Sequence, residues 1–261
     1  MQKNESTRPL ILVTNDDGVA ARGIRCLAEI ASRFGDVIVA APASAQSGKS
    51  SALTVGDPLY VKPQPDWGDH IKVYAISGTP VDCVKLALHA ITPDRRPDLL
   101  LSGINHGSNA AVNNIYSGTM GAVMEGCLVG IPSVGFSLLS HSPEASFDHC
   151  DKQIETVVDT VLTRGLPADV CLNVNFPAVD RLEGLKVVRA ARGYWSEEFA
   201  EYTSPWGTPF YWLTGKFHNL EPDNPDTDEY WLARGWGSVV PIRPDQTAHD
   251  AIEVTKEALS L

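Results

Sequence analysis

The stretch Leu10-Ile11-Leu12-Val13-Thr14-Asn15-Asp16-Asp17-Gly18 constrains this 261-residue chain more than any other. Four consecutive apolar residues, Ile11 and Val13 being β-branched, predict a strand buried on both faces of a parallel sheet. The strand ends at once in Asn15-Asp16-Asp17-Gly18, which cannot continue a buried ladder. Open α/β sheets bind their ligands at the carboxyl ends of such strands. Two adjacent carboxylates there repel, and both stay ionised only beside positive charge. Hard oxygen donors favour Mg²⁺, Mn²⁺ or Ca²⁺ over zinc. Asn-Asp and Asp-Gly are also turn formers, so a plain strand-ending turn describes the same residues.

The pattern then repeats. Ile24, Leu27, Ala28, Ala31 and Phe34 recur at helical spacing and predict a helix over 21–34, closed by Gly35. Val37-Ile38-Val39-Ala40-Ala41-Pro42 is a second buried strand, completing a βαβ unit with a right-handed crossover. Further strands are expected at 71–76, 99–101, 133–137 and 170–174. Between them, Thr79 suits an N-cap and Pro80 the first helical position, with Val81, Val84 and Leu88 buried. Helices are also expected through Ala122, Val123 and Cys127, and through Ile154, Val157, Val158 and Val161.

Alternation of this kind predicts an α/β fold with a doubly wound, mostly parallel, Rossmann-like sheet over residues 1–185. From about Lys186 the character changes. Trp195, Trp206, Trp212, Trp231 and Trp236 cluster with Tyr194, Tyr202, Tyr211 and Tyr230 among turn residues. Residues 186–261 therefore read as a C-terminal β-hairpin extension whose aromatics want a partner subunit, ending in a helix over 253–261.

Charge and composition narrow the function. A net charge of −11 argues against a polynucleotide-coating surface, which wants a basic stripe. No apolar run approaches the ~18 residues that cross a bilayer, and the first nine residues lack a signal-peptide core. Cys26, Cys83, Cys127, Cys150 and Cys171 are odd in number and contain no C-x-x-C, which suits a reducing cytoplasm.

Three polar loops fall at carboxyl ends of the predicted strands: Asn15-Asp16-Asp17-Gly18, the serine loop carrying Ser44, Ser47, Ser50 and Ser51, and Ser102-Gly103-Ile104-Asn105. In a doubly wound sheet they converge on one crevice. Carboxylates, a hydroxyl and a side-chain amide make a hard-metal shell. Ser117-Gly118-Thr119 opens a helix whose free N–H groups would cradle a phosphate, although the same residues also describe an ordinary N-cap. Metal beside such a cradle points to phosphoryl transfer or hydrolysis. His106 and His249 read as structural, since oxygen ligation does not call for them. The chain has no G-x-x-x-x-G-K-[ST], no G-x-G-x-x-G and no G-x-S-x-G, and no cysteine is followed six positions later by arginine.

Four motifs in order then resemble one family. They are Leu12-Val13-Thr14-Asn15-Asp16-Asp17-Gly18, Ser77-Gly78-Thr79-Pro80-Val81-Asp82-Cys83-Val84, Ser102-Gly103-Ile104-Asn105-His106-Gly107-Ser108-Asn109 and Tyr116-Ser117-Gly118-Thr119. Together they resemble the SurE family, stationary-phase survival proteins that are metal-dependent nucleotidases. The later Tyr211-Trp212 and the segment from Pro241 to His249 resemble that family's hairpin and tail. The resemblance implies one divalent cation per subunit, Mg²⁺ or Mn²⁺ with Ca²⁺ as a further occupant, held by Asp16, Asp17, Ser47 and Asn105.

It also implies hydrolysis of nucleoside 5′-monophosphates, with 3′-nucleotides and short polyphosphate as further substrates, in homodimers or homotetramers built through the C-terminal hairpins. Asp16 and Asp17 are then the expected catalytic residues. Phosphate or substrate contacts are expected from Asn15, Gly18, Asn109, Ser117, Gly118 and Thr119. Attack on phosphorus by water and attack by an Asp carboxylate both fit. The competing readings are a non-catalytic nucleotide-sensing module using the same crevice and an oligomerisation scaffold whose hairpins are the function. A nicotinamide-dependent oxidoreductase would need the glycine fingerprint that is absent.

Overall fold

The structure is a computed structural model that describes residues 8–142 and 144–261. Its first strand, β1 (Leu10–Thr14), is wholly buried, and its side chains alternate between two cores. Ile11 and Val13 pack with Ile24 and Leu27 of helix α1 (Arg22–Ala31) and, further along, with Ile154 and Val158 of α4 (Asp151–Arg164). Leu12 faces the other way. It packs with Cys83 and Val84 of α2 (Pro80–Leu86) and with Met120 and Val123 of α3 (Gly118–Leu128). Helices cover both faces, as an all-apolar strand requires.

Parallel pairing joins β1 to β2 (Asp36–Pro42) on one side and to β5 (Leu99–His106) on the other. On the β2 side, β3 (Val61–Gln64) and β4 (Ile71–Ile76) continue the sheet. On the β5 side follow β6 (Ser133–Leu139) and β7 (Cys171–Pro177). Beyond β7 lie β13 (Gly237–Ile242), antiparallel to it, and β8 (Leu185–Val187). The full order of the nine strands is β3-β4-β2-β1-β5-β6-β7-β13-β8. The chain runs outward in both directions from β1 and β5, so the switch point of this doubly wound sheet lies between them.

Between β8 and β13 the chain leaves the sheet as an arm. Strands β9 (Gly193–Ser196) and β12 (Lys216–Asn219) pair at its base, and β10 (Phe199–Thr203) and β11 (Pro209–Leu213) form the outer hairpin. A short α5 (Asp228–Leu232) returns the chain to β13, and α6 (Ile252–Leu259) ends it without a buried residue.

One local expectation is corrected, and one strand is new. Helix α1 stops at Ala31, and residues 32–35 form a turn in which Phe34 and Gly35 N–H groups donate to the Ala31 carbonyl. Gly35 does not cap in the left-handed region; a Cβ there would collide with the Pro9 carbonyl. Strand β3 was not anticipated, because Pro63 lies inside it. It is an antiparallel edge strand, where proline is tolerated.

Candidate active site

Asp16 lies two residues past the end of β1 and is 4% exposed, beneath the amino end of α3. Thr119 Oγ1 donates to Asp16 Oδ1 at 2.5 Å, and the Thr119 backbone N–H also supports the carboxylate. The approach requires glycine at the helix start: a Cβ on Gly118 would stand 2.8 Å from Asp16 Cβ and 3.1 Å from Oδ2. Burial pushes the Asp16 carboxyl up to about 6; the Thr119 hydrogen bond opposes the rise and the Asp17 charge adds to it. Asp17 is half-buried, and its Oδ2 accepts the His106 N–H at 3.1 Å. Burial raises its carboxyl too, against the pull of that N–H and of the His106 and His141 imidazoles.

The serine loop is drawn over this pair. Gln46 N–H donates to the Asp16 carbonyl at 2.7 Å, and Val19 N–H to the Pro42 carbonyl at 2.8 Å. Gly18, at φ +95°, lets the acidic turn pack on the loop, since a Cβ there would be 3.2 Å from the Ser44 carbonyl carbon. Ser47 lies exposed in the turn after Gln46. Asn105, near the end of β5, donates its Nδ2 to the Gly107 carbonyl at 2.9 Å. That bond occupies the amide nitrogen and leaves Oδ1 as the atom a cation would use.

The residues present fit a hard divalent cation. Every donor is oxygen, and the buried Asp16 carboxylate beside Asp17 calls for positive charge. Among the described residues no group of three or more His, Cys, Asp and Glu side chains gathers to hold a metal. The residues expected to hold a cation offer two carboxylates, an amide oxygen and a hydroxyl.

The expected phosphate residues are all buried, and they differ in which polar atoms they keep free. Ser117 caps α3 by accepting the Met120 N–H at 3.0 Å, and its hydroxyl proton stays available. Thr119 spends its hydroxyl on Asp16. The side chain of Asn15 turns back on its own loop, Nδ2 donating to the Gly18 carbonyl at 3.0 Å, while its buried Oδ1 has no partner among the described residues. Asn109 is knitted inward. Its N–H donates to Asn175 Oδ1 at 2.9 Å, its Nδ2 to Ser137 Oγ at 2.8 Å, and its carbonyl accepts Asn173 Nδ2 at 2.8 Å.

Other residues of the site were not anticipated. The carboxylate of Asp228, fully buried at the start of α5, accepts the N–H groups of Ala111, Ala191 and Glu229, each at 2.8 Å. It ties the wall 109–117 to the base of the arm. Trp195 reinforces that tie, its Nε1 donating to Asn113 Oδ1 at 2.8 Å. His141 lies against Gly107, where a Cβ would meet its ring. Asp228 and Trp195 stand 117 and 82 residues from their partners on the wall, too far for any local sequence signal.

Comparisons with known proteins agree with this geometry. The family described as Survival protein SurE matches residues 11–197. A relative from Christiangramia forsetii, named 5′-nucleotidase SurE, is 50% identical over 249 residues, covering 94% of this chain and 95% of its own. One of the same name from Bacteroides fragilis is 45% identical over 253 residues, covering 97% and 98%. The crystal structure of the SurE protein from Aquifex aeolicus superposes with a TM-score of 0.82 at 34% identity, covering 96% of this chain and 100% of that one. A family match over most of the chain, relatives of this identity, and acidic turn, serine loop and capped helix gathered at one switch point leave one assignment: the chain belongs to the SurE family.

Proposed function

We propose that this chain is a divalent-cation-dependent 5′-nucleotidase, a phosphomonoesterase that releases phosphate from nucleoside 5′-monophosphates, with 3′-nucleotides and short polyphosphate as further substrates. The observation that carries the reading is the Asp16 carboxylate, buried at the end of β1 and set against the amino end of α3 beside Asp17. The relatives' shared name, 5′-nucleotidase SurE, supports it.

Asp16, Asp17, Ser47 and Asn105 would hold one cation, Mg²⁺ or Mn²⁺. Bound there, it would polarise a phosphoryl oxygen and offset the charge of the two carboxylates. The chain's own residues supply the rest. Thr119 fixes the Asp16 carboxylate and the His106 N–H fixes Asp17, so neither reorganises as the substrate arrives. The Ser117 hydroxyl would face the phosphate at the amino end of α3, with the helix dipole behind it, while the Thr119 and Met120 N–H groups serve Asp16 and Ser117. The Asn109–Asn173–Asn175 amides hold the wall that leads into Ser117.

Exposed aromatics on β10 and β11 suit a homodimer or homotetramer assembled through the arm. Five free cysteines suit a reducing cytoplasm, and among the described residues no helix is long and apolar enough to cross a membrane.

The test is phosphate release from AMP by EDTA-stripped protein, before and after Mn²⁺ or Mg²⁺ is returned. Release only with metal is the expected result. No release with either ion across a nucleotide panel would overturn the reading.

A further inference from the structure

The motif Ser77-Gly78-Thr79-Pro80-Val81-Asp82 supplies no atom to the site described above, yet its Thr79 and Asp82 side chains do more than start a helix. Thr79 and Asp82 form a capping box on α2: Thr79 Oγ1 accepts the Asp82 N–H, and Asp82 Oδ2 accepts the Thr79 N–H at 2.9 Å. Such a box closes on its own helix. This one also reaches outward. Thr79 Oγ1 donates to the Ala52 carbonyl at 2.7 Å, and Asp82 accepts both the Thr54 hydroxyl at 2.6 Å and the Thr54 N–H at 3.2 Å.

Residues 52–54 are the returning limb of the loop that carries Ser47. Its outgoing limb is fixed by Gln46 N–H on the Asp16 carbonyl. Midway, the Ser50 hydroxyl donates to the Ile115 carbonyl at 2.7 Å, and its N–H to Tyr116. Ser44, Ala45, Ser47, Gly48, Lys49 and Leu53 are all exposed, so burial does little to order the loop. Hydrogen bonds at three points hold it, and the one furthest from the site ends on a carboxylate that is 3% exposed.

We propose that Asp82, through Thr54, is a positioning residue for Ser47: the capping box of α2 sets the serine loop and thereby the affinity of the cation site, without touching cation or substrate. The inference rests on the cation reading given under Proposed function. Bonds to a buried carboxylate are among the stronger ones, so losing one loosens a limb otherwise held by the Thr54 N–H and the Ala52 carbonyl.

Thr54→Val removes the hydroxyl bond and leaves the helix cap intact; Thr54→Ser keeps the bond. Three quantities are read on the full-length protein: the Mn²⁺ dissociation constant by calorimetry, kcat for AMP at saturating Mn²⁺, and the rate of tryptic nicking at exposed Lys49. The expected result for Thr54→Val is Mn²⁺ binding about five- to twentyfold weaker, faster nicking, and kcat within about twofold. Thr54→Ser should restore all three, and circular dichroism should be unchanged.

Unaltered Mn²⁺ affinity in a folded Thr54→Val protein would overturn the proposal, as would a fall in kcat with affinity intact. Wild-type protein that bound Mn²⁺ but released no phosphate would sink the nucleotidase reading and leave this comparison of affinities standing.

Discussion

In the crevice, Asn15, Asp16, Asn105 and Thr119 are polar and buried; on the arm, Phe199, Trp206, Tyr211, Trp212 and Leu213 are apolar and exposed, Trp206 at 89%. Each set departs from ordinary burial, in opposite directions. Buried polar groups are costly unless hydrogen-bonded, and in the crevice Thr119 and Gly107 meet that demand for Asp16 and for the Asn105 Nδ2, while Gly18 meets it for the Asn15 Nδ2 alone. What hydrogen bonds leave unmet there is the Asn15 Oδ1 and, above all, charge, which suits a small cation. The arm has its backbone paired strand to strand, and what it leaves unmet is apolar contact, which suits another protein surface. Substitutions in the crevice should therefore act on chemistry with little loss of stability, and those on the arm should act on association.

The largest effect should come from Asp16→Asn. The amide oxygen can still accept from Thr119, so the metal-free protein should melt at the same temperature or slightly higher, a buried charge having gone. Phosphate release from AMP should fall about a thousandfold or more, ~4 kcal/mol of barrier. A variant that kept its metal-dependent activity would erase the distinction drawn above, because Asp16 would then be a polar core residue and nothing more.

Gly118→Ala comes next and tests the packing of α3 on Asp16. The added Cβ would press on Asp16 Cβ and Oδ2, so either the helix start or the carboxylate must shift. Overpacking of this kind costs about 1–3 kcal/mol of stability. Displacement of a catalytic group by ~1 Å costs about a hundredfold in rate. Enzyme assay and thermal melt on the same sample check both, and activity should suffer more than stability.

How much of this was legible follows from the range of each interaction. Strand β1 and the acidic turn could be read because an apolar run and its abrupt polar end are local signals. Thr79 and Pro80 announced α2 for the same reason. Ser47 could be singled out only through the family resemblance. Ser44, Ser50 and Ser51 are equivalent to it in sequence, and the fastenings of the loop at Gln46 and Ser50 are tertiary. Asp228 was invisible, because nothing near it in the chain shows that its carboxylate reaches Ala111. Strand β3 was missed because its proline argues against a strand everywhere except at an edge. The aromatic segment declared itself by composition, but its return to the sheet through β13 did not: Gly237–Ile242 pairs antiparallel with β7 and carries few signs of its partner.

Trp195→Phe probes the seam between the two regions. The ring would still pack near Phe217, at 5.9 Å in the native chain, but the bond to Asn113 would go. About 1 kcal/mol of stability should be lost. The wall 109–117 loosens at one of its ties to the arm while Asp228 keeps the other, so KM for AMP should rise a few-fold with kcat nearly constant. A fall in kcat instead would mean that the arm reaches the reacting groups themselves.

The smallest effect on the single chain should come from Trp206→Ser. Trp206 sits in the turn joining β10 to β11, where Gly207 N–H donates to the Ser204 carbonyl and Ser204 N–H to that of Thr208. Neither bond involves the indole, and the ring is almost wholly exposed. Within one chain its removal should cost less than about 0.5 kcal/mol, which for a chain of this size is a shift of ~1–2 °C in dilute solution. Sedimentation at rising concentration should nonetheless show weaker self-association, since an indole held out on a hairpin tip contributes area only when something covers it. A drop of several degrees in dilute solution would place the tip in a single-chain core, contrary to its exposure. Unchanged sedimentation would move the subunit contact away from the tip and leave the exposed strands β10 and β11 to carry it.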